Sequence, residues 1–442
     1  MFNRFLAAAV LTSVLASLVT VTGCSEPRPV VFEANLVHAM KYQLREDLPM
    51  EQASDDAFWV VGEMFGTPDE PKLPSIVTED EDLASVVSLE RLIAASGPTH
   101  EAGRGLYRKH CSTCHGITGD GRGSTAAMLT PYPRDYRKGV FKFKSTERGA
   151  KPTRHDLATL IRNGISGTQM VAIPELSDED TEALVDYVIY LSWRGELERT
   201  LMDDAVFELD LAEGDRIIDP SAKATTDEEA LEAFEESWEI AEDYALEIAE
   251  AWFEAEDEFV EVPEPPAEML VTNSYADFVR FSTGETAEQM KASVARGREL
   301  FTGKIAACSK CHGEEGLGDG QTTDYDDWTK DWTTGAGIKP DDRDALVPML
   351  ARGAMSPINA KPRNFQQGVF HGGADADNLY RRITQGIEGS PMPAVTFVDG
   401  QFEEDDVWHL INFIRSLQTT PATSTGESAT EPLPNEMAGM SY

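Results

Sequence analysis

The chain has 442 residues, 41% of them hydrophobic, enough for two or three ordinary domains with cores of their own. Its 78 Asp and Glu stand against 38 Lys and Arg, a formal charge of −40 at pH 7. That balance excludes binding to nucleic acid, which needs a cationic face, and favours solubility and repulsion from anionic surfaces.

Arg4 is followed by a largely apolar run, Phe5–Val21, which closes on Val21-Thr22-Gly23-Cys24. A short positive start and an apolar stretch too short for a membrane span make residues 1–23 a secretory signal. The closing residues resemble the lipobox of bacterial lipoproteins. That resemblance implies cleavage before Cys24, a lipid on its thiol, and attachment to a bacterial membrane facing the periplasm or the cell exterior. Residues 24–96 are then an anchor and an irregular extension without a motif. Their most apolar piece is "FWVVGEMFG" at 58–66.

The first chemistry-bearing phrase is Cys111-Ser112-Thr113-Cys114-His115. C-x-x-C-H is the attachment signature of c-type haem, in which two thiols add to porphyrin vinyl groups and the adjacent imidazole binds iron. Half a zinc site or a thiol redox pair would be alternatives, but a zinc site needs a second ligand pair nearby and none is present. Upstream, Gly103-x-x-x-Tyr107 has the spacing that puts glycine and ring on one helix face for a close crossing. Downstream come a Gly119-Asp120-Gly121 turn and Pro133-Arg134-Asp135-Tyr136-x-x-Gly139-Val140-Phe141. A Gly-containing loop, "NGISGTQMVAIP", then holds Met170. Ser177, with Asp and Glu in the next turn, opens an amphipathic helix carrying Leu184, Val185, Tyr187, Val188 and Leu191.

Residues 101–162 hold 13 Lys/Arg and 5 Asp/Glu, so the neighbourhood of this first phrase is basic in an acidic chain. Such a ring either steers an acidic redox partner or faces acidic segments of the same chain. Residues 227–261 are the reverse, with 16 acidic residues and no basic one. Apolar residues still recur there at three- and four-residue spacing, from Leu231 through Phe234, Trp238, Ala241, Ala245 and Ile248 to Trp252. That stripe predicts a helix packed on another domain or on a partner subunit, ended by "VPEPPAE".

The haem phrase returns as Cys308-Ser309-Lys310-Cys311-His312. Its surroundings return too: Gly297-x-x-x-Phe301 before it, Gly318-Asp319-Gly320 after it, then Pro362-Arg363-Asn364-Phe365-x-x-Gly368-Val369-Phe370. "QGIEGSPMPAV" holds Met392, and Leu410, Ile411, Phe413, Ile414 and Leu417 repeat the closing helix. The copies differ in one respect. Pro133 lies 22 residues after Cys111, whereas Pro362 lies 54 after Cys308. The extra stretch, including "TTDYDDWTKDWTTGAGIKPDDRDALVPML", either caps the second haem or decorates the surface. Residues 420–442, rich in Thr, Ser, Pro and Glu, read as a disordered tail.

This order of helix, haem phrase, loops, methionine and closing helix resembles class I cytochrome c domains, over about 97–195 and 284–419. The resemblance implies a mainly α protein with two such helical domains joined by an acidic helical segment, 196–283. It implies two covalently bound haem c groups. His115 and Met170 would ligate one iron and His312 and Met392 the other, with Tyr107 meeting Tyr187 and Phe301 meeting Phe413 where first and last helices cross. Met128, Met349 and Met355 also lie between a haem phrase and its closing helix, but lack the matched loop. Arg134 and Arg363, identically placed, are candidates for the haem propionates, since a guanidinium forks onto carboxylates. The expected function is single-electron transfer between redox proteins, not an enzymatic reaction, either as a free carrier or as the cytochrome subunit of a respiratory complex. The rival is a dihaem peroxidase, which needs one open iron position and an acid/base group beside it. His155 and His371 are the other candidate ligands and are expected at the surface.

Overall fold

A computed structural model describes residues 30–80 and 82–419. Cys24, the signal segment and the 420–442 tail lie outside the described residues. Both haem phrases fall in one compact unit that begins at Phe32. The backbone is mainly α-helical, and β-pairing among the described residues is limited to isolated bridges. None of the described helices is long and apolar enough to cross a membrane.

The first haem region is built around one helix, Asp178–Glu208, opened by the Ser177 hydroxyl accepting from the Asp180 N–H. Its sequence is not simply amphipathic, because it is covered on nearly all sides: Leu184, Tyr190, Trp193, Leu197 and Met202 are all fully buried. Asp186 is buried on it and held by Arg91, Arg154 and the Ser88 N–H, at 2.6–2.7 Å. Helix Arg154–Asn163 packs beside it, started by a Thr153/Asp156 capping box.

The extension adds helices Leu36–Glu46, Met50–Phe65 and Leu89–Ala95 to this core. Irregular backbone was the sequence expectation for residues 24–96. Its described part is instead largely helical, because the apolar residues of 58–66 lie on helix Met50–Phe65. Phe65 is buried there against Tyr190 at 5.6 Å and Trp193 at 5.2 Å.

The acidic helix runs from Glu228 to Glu254. Its stripe packs on the first haem region, burying Ala241, Ala245, Ile248 and Trp252, and Trp193 Nε1 donates to the Ala245 carbonyl at 2.9 Å. The carboxylates stay on the outer face. Packing on a domain of the same chain, one of the two expected outcomes, is what is found.

In the second region helix Ala287–Thr302 crosses the closing helix Asp406–Ser416. Gly297 permits this: a Cβ there would stand 2.0 Å from the His409 carbonyl oxygen. Phe301 meets Phe413 at 5.1 Å, as Tyr107 meets Tyr187 at 4.8 Å. The Gly103 expectation fails. The corresponding helix starts only at Leu106, and Gly103 sits in the preceding turn at φ 74, where an added Cβ would meet nothing within 4 Å. Leu89–Ala95 supplies the main helix crossing there instead.

The long insertion of the second copy packs on the extension. Trp332, Ile338, Leu346 and Met349 form a separate small core with Met40. It is therefore neither surface decoration nor a cap on the second site alone.

Candidate functional site

Each haem phrase makes a single turn. His115 N–H bonds the Cys111 carbonyl and His312 N–H the Cys308 carbonyl, both at 2.9 Å, so both thiols and the imidazole face one side. Gly116 and Gly313 close these turns at φ 75 and 76, and a Cβ on either would strike the Asp120 or Asp319 carboxylate.

The second copy of the Pro-Arg motif explains itself here. His115 Nδ1 lies 3.2 Å from the Arg134 carbonyl, and His312 Nδ1 lies 3.1 Å from the Arg363 carbonyl. A carbonyl only accepts, so Nδ1 carries the proton and Nε2 keeps its lone pair for a metal. Burial holds His115 down to about 4 and lowers His312 as well, which keeps both rings neutral. The rings are fixed by stacking on Tyr136 at 4.9 Å and on Phe365 at 4.4 Å. Burial raises the thiols of Cys111 to about 12 and Cys308 to about 11.

Met170 and Met392 sit in superposable turns. Ile165 N–H bonds the Met170 carbonyl at 2.8 Å, and Ile387 N–H bonds the Met392 carbonyl at 3.0 Å. Each methionine N–H is held by the hydroxyl two residues earlier, Thr168 or Ser390. Gly164 and Gly386 allow the return, since a Cβ on either would collide with that methionine's carbonyl.

Both haem phrases, both methionines, Arg134 and Arg363 line one continuous cavity of about 1450 Å³. This exceeds an ordinary ligand pocket, about 300–1,000 Å³. Its walls carry thirteen lysines and arginines against six carboxylates, a cationic lining inside an anionic protein. Two haems would bring four propionates to it. Arg363 has no carboxylate within ion-pair distance among the described residues, and burial alone lowers its pKa. That is a guanidinium lacking an anion. Arg134 is engaged differently: it lies 3.3 Å over the Trp328 ring and 3.9 Å from Asp326, and burial lowers its pKa to about 10.

The basic stretch after the first phrase faces the protein's own carboxylates. Lys142 pairs with Asp326 at 3.2 Å, Lys144 with Glu388 and Lys151 with Glu196, both at 2.6 Å. Of the other methionines, Met128 is 77% exposed and Met349 belongs to the small core, while Met355 lines the cavity from the insertion. His155 is exposed as expected. His371 is half-buried rather than at the surface: it lines the cavity, edge-on to Phe143 at 5.9 Å, with its Nε2 beside the Gly167 backbone.

Two features of the walls escaped the sequence. Trp328 belongs to the insertion, which offers no copy to align with. His38, buried at the cavity edge with Nε2 2.6 Å from Asp203, comes from the motif-free extension. Among the described residues no three His, Cys, Asp or Glu side chains converge as a metal site. The donor set of each phrase, two thiols beside one neutral imidazole on the wall of a large cavity with a cationic lining, fits covalently held haem, whose propionates are anionic.

The cytochrome c family model matches residues 100–192 and 294–418, each spanning one haem phrase and its methionine loop. No curated protein matches the chain. Among solved structures, a chain of the Kuenenia stuttgartiensis reducing HAO-like protein complex Kustc0457/Kustc0458 aligns with 19% identity and a TM-score of 0.41. The alignment covers 75% of this chain and 97% of that one.

Proposed function

We infer that this chain, with cytochrome c domains over residues 100–192 and 294–418, is an exported dihaem c-type cytochrome passing single electrons between redox proteins. The observation that carries this is the opening of both haem phrases, with matched neutral imidazoles and matched methionine loops, into one cavity. Haem c bound there supplies a one-electron iron couple.

The chain's own residues do the rest. Cys111 and Cys114, and Cys308 and Cys311, anchor the two groups. His115 and His312 would offer Nε2 to the iron and Met170 and Met392 their thioethers, a ligand pairing that would raise the potential of the bound haem. Arg363 and its cationic neighbours take propionates. Both sites line one cavity, so haems held there would be placed for an electron to pass from one to the other. The Val21–Cys24 pattern supports a lipid on Cys24 that holds the protein at a bacterial membrane surface. Donor and acceptor, free or within a respiratory complex, would meet it there.

Haem quantification of the purified protein tests the reading, with two haems per chain expected. Met170→Leu and Met392→Leu should each remove about half of the weak red Met–Fe(III) band. One haem per chain, or a band that neither substitution touches, would overturn the assignment.

One observation favours a second reading, a dihaem peroxidase: His371, a histidine outside both haem phrases, lines the cavity next to the second Pro-Arg segment. That reading requires a high-spin haem that binds cyanide and turns over peroxide, both measurable on the same preparation.

A further inference from the structure

The glycines three residues before Met170 and Met392 show how the two regions meet. A Cβ on Gly167 would come within 2.6 Å of Val369 and 3.5 Å of the Arg363 guanidinium. The first methionine loop thus rests directly on the segment whose carbonyl orients His312. Gly389 holds the matching place in the second loop, but it does not touch the matching segment. A Cβ there would strike the Trp328 indole at 2.2 Å. Trp328 fills the space between. Its ring lies 3.3 Å from the Arg134 guanidinium, and its Nε1 donates to the Asp135 carbonyl at 3.0 Å. That carbonyl adjoins the one that orients His115. The neighbouring residue makes the same bridge through its backbone. Asp327 N–H bonds the Gly389 carbonyl at 3.2 Å, and the Asp327 carbonyl accepts from Lys138 Nζ at 3.0 Å.

We propose that Trp328 is a positioning residue shared by both iron sites. It sets the segment that orients His115 and the loop that carries Met392 against each other, so each iron's ligand geometry depends on the other region. The 54-residue spacing in the second copy has this use: it delivers a rigid wedge where the two regions would otherwise leave a gap. An indole suits the place because it has only two side-chain torsions, a face for the guanidinium and a single N–H for the carbonyl. A change at the Arg134 carbonyl that accepts from His115 would alter the basicity of that imidazole, and with it the potential of a haem that it ligates.

The inference rests on the dihaem His/Met reading, and the test separates the two. A spectropotentiometric titration of the holoprotein resolves two components, and Met170→Ala marks the first. Trp328→Ala is expected to shift both midpoints in one titration at unchanged haem content. Trp328→Phe, which keeps a ring but has no N–H for Asp135, serves if the alanine variant does not accumulate and should still shift the first midpoint. Gly389→Ala drives a methyl into the indole, so it should move the first midpoint although it lies in the second region. In the Trp328→Ala background that long-range shift should vanish. A residue that only adds stability would lower the melting temperature without this non-additivity. A Trp328→Ala titration that moves one midpoint or neither overturns the proposal, as does a Gly389→Ala shift of the first midpoint that persists without Trp328. A parent protein without two low-spin, methionine-ligated haems overturns the underlying reading instead.

Discussion

Asp326 is the carboxylate on which the docking of the insertion depends, and replacing it with Asn tests that role. Its Oδ2 lies 3.2 Å from Lys142 and 3.9 Å from Arg134, and its Oδ1 accepts from the Thr329 N–H to start helix Asp327–Trp332. Burial pushes its carboxyl up, but Lys142 and Arg134 outweigh burial and hold it below the usual range. Asn keeps the helix cap, because its side-chain oxygen accepts the same bond, and removes only the charge. Lys142, already drawn down to about 8 by burial and by Arg134, then loses its carboxylate. Stripping one partner from a fully buried pair costs about 3–5 kcal/mol. Lys142 and Asp326 keep 16% and 24% of their side-chain surface exposed, so we expect about 2 kcal/mol for Asp326→Asn. Asp326→Ala also loses the cap and should cost about 1 kcal/mol more. Urea denaturation of the holoprotein at neutral pH measures both. Loss of a negative charge beside Arg134 should also raise the first midpoint potential. An Asp326→Asn protein within about 0.5 kcal/mol of the parent would refute the premise that this pair clamps the insertion to the first region.

Three further outcomes are expected. Burial, assisted by the Arg199 charge, holds His38 down to about 4 against an ordinary 6.5, so the unfolded chain binds a proton there that the folded one refuses. His38 therefore adds stability that is full above pH 6.5 and is lost as pH falls toward 4, up to about 3 kcal/mol, and His38→Gln should flatten that part of the pH–stability curve. Gly297→Ala forces a methyl into the His409 carbonyl and should cost about 1–3 kcal/mol, read as a lower melting temperature, with the second haem's spectrum changed before the first's. Phe65→Ala empties a fully buried place between Tyr190 and Trp193 and should cost about 3–5 kcal/mol, with the extension becoming the first site of limited proteolysis. Cleavage beginning elsewhere would mean that the extension is held by other contacts.

What can be read along the chain is what has local geometry. Two thiols and an imidazole within five residues must share one turn. Glycines around a methionine make the same loop twice, and apolar residues at helical spacing make a helix with a buried stripe. The acidic helix was legible for that reason, although nothing in its own residues said that the first haem region would cover it. Repetition helped further, since every element with a counterpart in the other copy could be checked against it. Tertiary structure alone decided which surfaces meet. Gly103 and Gly297 share a spacing, but only Gly297 lies on a helix, because the extension has taken over the crossing in the first region. Arg134 and Arg363 occupy the same place in their motifs, yet one is stacked on Trp328 and the other has no carboxylate partner among the described residues. The basic stretch could have faced a partner or the chain itself. His371 stands next to a motif phenylalanine and was expected at the surface, but Phe143 from the other region encloses it. Most of these outcomes depend on residues distant in sequence, Trp328 for Arg134 and Phe143 for His371, and no local period or spacing encodes which of two available faces such a residue will meet.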